Sequence, residues 1–343
     1  MDPAQSATRP GGAVVTLTVN PAIDVTCTLA EEAQVDGVNR ITHMDRTAGG
    51  KGINVSVAIA KAQTPTLALV PGSAEDPLYD HLAQLKVPTK RIPTGHPARF
   101  NTTYTDPAGN TTKFNEPGHA LNDSEIAAVE QELIDAAATA SWIVLAGSLP
   151  PGTDPALYSR LVHALRATHP EVPIAVDTSG PALRALMDNL ETAAPNIIKP
   201  NAFELAEIVP GYCGQELEAA AAAGDCTPII AAAREVIARG VKAVLVTLGA
   251  SGALLVTAHN AWAAPSPQVH ALSTVGAGDS ALAGYCLARA HGADLSDALA
   301  TSVAYGAAAV QLPGTGIPGP EDVDVAAITV SHIDSVPAPV PAH

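Results

Sequence analysis

The stretch Ser273-Thr274-Val275-Gly276-Ala277-Gly278-Asp279-Ser280 decides how the rest of the chain is read. Gly276 and Gly278 bracket Ala277, a carboxylate follows at once, and an apolar helical pattern runs from Ala281 to Arg289. Glycine lets backbone N–H groups turn inward and lets a ligand approach without meeting a Cβ. A helix start carries unpaired N–H groups and a partial positive charge, which suits an anion. A carboxylate beside such an anion hole is a poor arrangement for binding alone, because like charges repel. It makes sense if Asp279 takes a proton from a hydroxyl while the amides stabilise charge developing on a phosphoryl group. The other reading of the octapeptide is a glycine loop with Asp279 as the helix N-cap.

Working outward, the preceding chain alternates helical and strand patterns. Helices are expected over 124–139, 155–168, 181–190 and 228–239, each followed by a short apolar strand, at Trp142–Leu145, Ile174–Asp177, Asn196–Lys199 and Ala243–Leu248. That alternation predicts an α/β fold with a mostly parallel sheet covered by helices on both faces. Each strand ends in a polar or small cluster: Gly147-Ser148, Asp177-Thr178-Ser179, Lys199-Pro200-Asn201 and Thr247-Leu248-Gly249. Ligands of such sheets gather at that edge.

Ala13 to Val19 reads as a buried strand that runs into Asn20-Pro21-Ala22-Ile23-Asp24, where Pro21 forces a turn and leaves Asp24 at the carboxyl end. Thr47-Ala48-Gly49-Gly50-Lys51-Gly52-Ile53-Asn54 then opens an apolar helix expected from Val55 to Lys61. The spacing is not that of a Walker A loop. It fits close backbone approach to a ligand, with Lys51 pairing an anion and Asn54 binding hydroxyls; a glycine turn with a solvated lysine is the plainer alternative. Val25–Leu29, Val38–Asp45, Phe100–Thr105 and Thr111–Asn115 are polar and β-prone, and predict a small separate sheet, a lid within about 24–47 and 91–117. Arg99 and Asn101 start its hairpin.

The totals set limits. Of 343 residues 47% are hydrophobic and 15% charged, which is globular, and with aromatics at 3% the core must rest on Ala, Val, Leu and Ile. A formal charge of −16 argues against nucleic acid or an anionic membrane as partner. Cys27, Cys213, Cys226 and Cys286 are scattered, with no C-x-x-C pair, so a reduced, cytoplasmic setting is expected. The eleven histidines are dispersed and suggest no metal site. Residues 1–12 read as a flexible arm, 13–330 as one domain, and 331–343 as a Pro-rich tail.

Four motifs in order resemble the ribokinase/PfkB sugar-kinase family: the Asn20–Asp24 N-P-x-x-D stretch, Ala48 to Asn54, Lys199-Pro200-Asn201-x-x-Glu204, and the Gly276–Ser280 GAGDS stretch. The likeness covers about residues 13–330 and is nearest the 1-phosphofructokinase and tagatose-6-phosphate kinase branch, in keeping with Lys51 where minor 6-phosphofructokinases usually have glycine. Thr112 to Gly118 and Gly147 to Gly152 also look like those of 1-phosphofructokinases.

The resemblance implies a ribokinase-like fold and an ATP-dependent kinase of a ketohexose monophosphate, with fructose 1-phosphate the leading substrate and tagatose 6-phosphate or fructose 6-phosphate next. A non-catalytic sugar-phosphate sensor on the same fold is the alternative of another class. By the resemblance, Asp279 is the base, the N–H groups of Ala277, Gly278 and Asp279 form the anion hole, and Gly276 joins them in the catalytic turn. Asn201 and Glu204 organise Mg2+, largely through water. Thr247, Leu248, Gly249, Ala250, Ser251 and Gly252, with Lys199, hold ATP. Asp24, Gly49, Gly50 and Asn54 face the sugar hydroxyls, while Lys51, Arg99, Asn101 and Ser148 surround its existing phosphate. The lid is implied to close over the sugar and to pair with a second subunit's lid in a homodimer. Three positions depart from the pattern near the sugar-phosphate end: Ala98 for a threonine, Thr103 for a lysine of some 1-phosphofructokinases, and Ala146 for a serine.

Overall fold

The protein is described by a computed structural model over residues 11–333. Among these residues a large sheet runs, in spatial order, through Ser331–His332, Ala261–Ala264, Ala253–Thr257, Ala243–Thr247, Ile197–Ile198, Ile174–Asp177, Ala140–Ala146, Ala13–Leu17, Thr66–Gly72 and Thr89–Pro93. The pairings from Ala243–Thr247 through Thr89–Pro93 are parallel, and the three strands on the other side of Ala243–Thr247 continue the sheet antiparallel. A second sheet, in the order Ile41–Gly49, Ala22–Leu29, Arg99–Thr105 and Thr111–Asn115, forms the lid.

Period-two alternation divides the core. In the first strand Val15 and Leu17 point to one apolar cluster and Val14 to the other. The first cluster holds Leu133, Leu161, Leu186, Leu205 and Ile230, from five helices on one face. The second holds Ile53, Ile59, Leu78, Leu282 and Leu299, from helices on the other. With so few aromatics, the second face is closed by small residues. Helix Ala277–Ala290 lies so near helix Leu295–Ala309 that a Cβ on Gly284 would stand 2.6 Å from the Thr301 carbonyl oxygen.

Helix Lys51–Lys61 begins four residues earlier than its apolar pattern predicts, so Lys51 is its first residue. Buried hydroxyls tie it to the central strands: Thr16 Oγ1 lies 2.8 Å from Ser56 Oγ, which lies 3.1 Å from Thr66 Oγ1. A Cβ on Gly52 would meet the Leu17 carbonyl oxygen at 2.8 Å, so the helix start presses onto the end of the first strand. Lys51 and Asn54 are thereby fixed at the sheet's carboxyl edge.

Three expectations change. Arg91–Pro93, grouped with the lid in the sequence reading, belong to an edge strand of the large sheet, where only Ile92 is buried. Residues 331–332, assigned to the tail, pair with Trp262 and Ala263. Helix Ala202–Ile208 was not anticipated. Residues 1–10 of the arm and 334–343 of the tail lie outside the described residues. Among those described, no helix is long and apolar enough to cross a membrane.

Candidate active site

Helix Ala277–Ala290 starts on Gly276, whose φ of 78° is left-handed, and no side chain caps it. The amides of Ala277, Gly278 and Asp279 precede the first intrahelical bond, from Ser280 N–H to the Gly276 carbonyl, and remain free for an anion. Asp279 is therefore the third helical residue and not the N-cap. It is buried, and Oδ2 accepts a 2.8 Å hydrogen bond from Asn54 Nδ2. Burial, and then the nearby Asp177 carboxylate, push its pKa up to about 6, against the opposing pull of Lys51, Asn54 and Lys199. A carboxyl tuned to that range can accept a proton near neutral pH.

Asp177 closes strand Ile174–Asp177 with a fully buried carboxylate. Oδ1 accepts from Lys51 Nζ at 2.9 Å, and Oδ2 lies 3.1 Å from Lys199 Nζ. Burial alone would raise its pKa, but Lys199 and then Lys51 hold it below the ordinary carboxylate range. Burial would likewise lower the pKa of Lys51; Asp177 and Asp279 outweigh it, and the ammonium stays above its ordinary value. Lys199 is itself buried, and its Nζ stands 3.2 Å from where a Cβ on Gly278 would be, over the anion hole. Asp177 was read only as part of a strand-end cluster. The signal was in the sequence: an acid directly after Ile174-Ala175-Val176, at the edge where ligands bind.

Where a nucleotide is expected, Thr247 bridges Asn201, and its N–H donates to the Pro200 carbonyl at 3.0 Å. The loop Leu248 to Gly252 closes on itself through Leu248 N–H to the Gly252 carbonyl at 2.8 Å. Asn201 and Glu204 form a reciprocal capping box at the start of helix Ala202–Ile208, so their spacing has a structural cause as well. Among the described residues, no three His, Cys, Asp or Glu side chains converge on a metal position.

Where the sugar is expected, Asp24 Oδ1 accepts from Asn101 Nδ2 at 2.9 Å across neighbouring strands of the small sheet. Burial raises the Asp24 pKa, with Asn101, Arg99 and Lys113 opposing. Arg99 donates to the Glu116 carbonyl at 2.7 Å and keeps a buried Nε without a partner. Asn20, absent from the expected set, links the Pro117 carbonyl at 3.1 Å to Ser148 Oγ at 3.4 Å. The lid's polar face borders a cavity of about 470 Å³ lined by Asp24, Thr26, Thr47, Val57, Lys61 and Ile317, among others.

Asn54, an expected sugar contact, also gives its amide to Asp279, and Gly49 packs so near Asp24 that a Cβ there would collide with the carboxylate. Gly50 has a φ of 119°, and its missing side chain makes room for Thr18.

Residues 17–322 match the pfkB family carbohydrate kinase family. The chain is 33% identical over 314 residues to a 1-phosphofructokinase of Haloferax volcanii, a match covering 90% of this chain and 95% of the relative. It is 32% identical over 315 residues to the ATP-dependent 6-phosphofructokinase isozyme 2 of Escherichia coli, covering 90% of this chain and 96% of the relative. The crystal structure of phosphofructokinase-2 from Escherichia coli in complex with potassium superposes with a TM-score of 0.80 at 32% identity, over 91% of this chain and 96% of that one.

Proposed function

The chain belongs to the pfkB family of carbohydrate kinases, and from that premise we propose that it transfers the γ-phosphoryl group of ATP to the 6-hydroxyl of fructose 1-phosphate. The observation that carries this reading is the placement of Asp279: a buried carboxylate, held by Asn54, on the first turn of an uncapped helix and beside two lysines. Phosphoryl transfer asks little covalent chemistry of the protein; it needs positioning and neutralised charge.

In this scheme Asp279 accepts the proton of the sugar hydroxyl. The amides of Ala277, Gly278 and Asp279 receive the charge of the transferring group, with Lys199 over them. The loop Thr247 to Gly252 holds the nucleotide. Asp24, Gly49 and Gly50 position the sugar, and Arg99, Asn101, Lys51 and Ser148 surround its phosphate. Arg99 suits that task because its guanidinium, half-buried with an unpartnered Nε, has donors to give. Asn201 and Glu204 fit a Mg2+ held largely through water, since one half-buried carboxylate suits an ion that keeps water and phosphate oxygens. When bound, the ion would supply positive charge to offset that of the nucleotide phosphates. The lid closes over the sugar and pairs with the lid of a second copy.

A second reading, transfer to the 1-hydroxyl of fructose 6-phosphate or tagatose 6-phosphate, draws support from the 6-phosphofructokinase relative being as similar as the 1-phosphofructokinase. Lys51 favours the first. ADP release measured with fructose 1-phosphate, tagatose 6-phosphate and fructose 6-phosphate decides: the highest kcat/KM is expected for fructose 1-phosphate. A preference for either 6-phosphate moves the assignment, and ADP release with none of them points to a sensor. Arg99→Ala should raise KM for the sugar phosphate and leave that for ATP; equal effects on both would remove Arg99 from the phosphate site.

A further inference from the structure

Asp177 touches neither the proposed base nor any group assigned to a substrate role except the two lysines, and it touches both. Lys51 comes from the start of helix Lys51–Lys61 on the sugar side. Lys199 follows strand Ile197–Ile198 and reaches over the anion hole. The Asp177 backbone is pinned as well: its carbonyl accepts from Gly147 N–H at 2.9 Å, and the preceding Val176 carbonyl accepts from Lys199 N–H at 3.2 Å. A Cβ on Gly147 would stand 3.9 Å from Lys51 Cβ, so the three strand ends meet around one carboxylate.

A buried ion cluster is a costly way to finish a strand; an apolar residue of similar size is often neutral or better for stability. The carboxylate therefore calls for a reason other than packing. We propose that Asp177 is a positioning residue for the transfer: one buried carboxylate that holds Lys51 toward the sugar phosphate and Lys199 over the anion hole, in fixed relation to Asp279. This inference rests on the reading of Asp279 as base and of the lysines as phosphate partners.

The electrostatics follow from the distances. Two ammoniums within about 3 Å of one carboxylate lie close to each other, and in a poorly screened interior they repel strongly once that charge is gone. Lysine stems are flexible, so both heads then lose their fixed placement. Asp279 also feels the change. The groups that act on it are Asp177, Lys51, Asn54 and Lys199. Tyr158, whose hydroxyl donates to the Gly147 carbonyl at 3.0 Å, and Glu204 border the cluster through Lys51. Removing the negative charge at 177 makes Asp279 easier to ionise; removing the positive charge at 51 makes it harder.

The test is the pH profile of the full-length chain with each substrate varied in turn. Asp177→Asn should lower kcat by about 10- to 100-fold, the scale on which misplaced groups act. It should raise KM for both substrates and move the acid limb of kcat/KM to lower pH by about one unit. Lys51→Met should move the same limb to higher pH. An Asp177→Asn enzyme whose acid limb stays in place, whatever its kcat, has lost only a strand end, and the proposal fails. Should Asp177→Asn not fold, as read from its melting curve, Lys51→Met carries the test alone, and an unmoved limb there overturns the proposal. A wild-type chain that turns over no hexose phosphate overturns both this inference and the reading it rests on.

Discussion

Asn54 Nδ2 donates to Asp279 Oδ2 at 2.8 Å, joining two helix starts that lie 225 residues apart in the chain. The bond gives the GAGDS turn and the glycine–lysine motif a common purpose. Each motif supplies a helix N-terminus at the carboxyl edge of the large sheet, and a side chain from one orients the proposed base on the other. One carboxylate oxygen is engaged by the amide, which aims the other. Neither motif could set that angle alone.

Replacing Asp279 separates catalysis from stability. Asp279→Asn should lower kcat by roughly 100- to 10,000-fold while ATP still binds, as for a positioned base. The folded pKa of about 6 lies above the ordinary 3.8. The stability it contributes is thus fully present below about pH 4 and is lost as the pH rises through 6. The variant escapes that loss, and at pH 8 it should be more stable than wild type by on the order of 1–3 kcal/mol. Thermal melts at pH 4 and pH 8 check this; a variant less stable at both would mean that the carboxylate is not under strain.

The same tuning should appear in the rate. Asp279 must be ionised to accept a proton, so kcat/KM should fall as the pH drops below about 6. The Asn54 bond favours the ionised form, so Asn54→Ala should move that limb to higher pH and lower kcat by about 10-fold. A limb that stays in place would show that Asn54 does not set the proton affinity of Asp279.

Much of this arrangement was legible in the residues, and the exceptions have causes. Alternating helical and strand patterns located the parallel strands because both faces of the sheet are buried and each strand is a short apolar run. Thr89–Pro93 escaped because an edge strand with a single buried residue reads like a lid strand. Helix Ala202–Ile208 is seven residues long, too short for a periodic signal, although Asn201 and Glu204 carry its capping box. Asp177 was overlooked because its partners, Lys51 and Lys199, are distant in sequence; only the sheet order brings them together. That Asn54 also meets Asp279 was not legible, because spacing cannot show which distant side chain an amide reaches.

Two glycines should separate the substrates. Gly49→Ala drives a Cβ into the Asp24 carboxylate, which borders the sugar side. It should raise KM for the sugar phosphate at least several-fold and leave KM for ATP nearly unchanged. Gly252 has a φ of 92°, and a Cβ there would stand 2.0 Å from the Ala264 carbonyl oxygen. Gly252→Ala should therefore weaken ATP binding and lower stability by about 1–3 kcal/mol, the usual cost of a side chain at such a backbone conformation. Initial rates with each substrate varied will show whether the two effects part as stated.

The lid supplies the last prediction. Its register places Phe114 opposite Thr102, and Met44 opposite Cys27, which also faces Tyr104. Phe100, Tyr104, Met44 and Phe114 therefore share the face of Val25 and Cys27, while Asp24 and Asn101 occupy the polar face toward the sugar. Phe114 is 61% exposed, Met44 41% and Phe100 40%. Apolar side chains gathered on one face of a small sheet mark an interaction surface, and a two-fold pairing of lids, as proposed, would cover it with a copy of itself. Sedimentation should show a dimer for the wild type and a monomer for Phe114→Glu. Because the lid holds Asp24 and Arg99, the monomer should bind the sugar phosphate more weakly while its ATP affinity changes little. A Phe114→Glu chain that still sediments as a dimer places the interface elsewhere, and a monomeric wild type leaves the lid to close over the sugar without a partner.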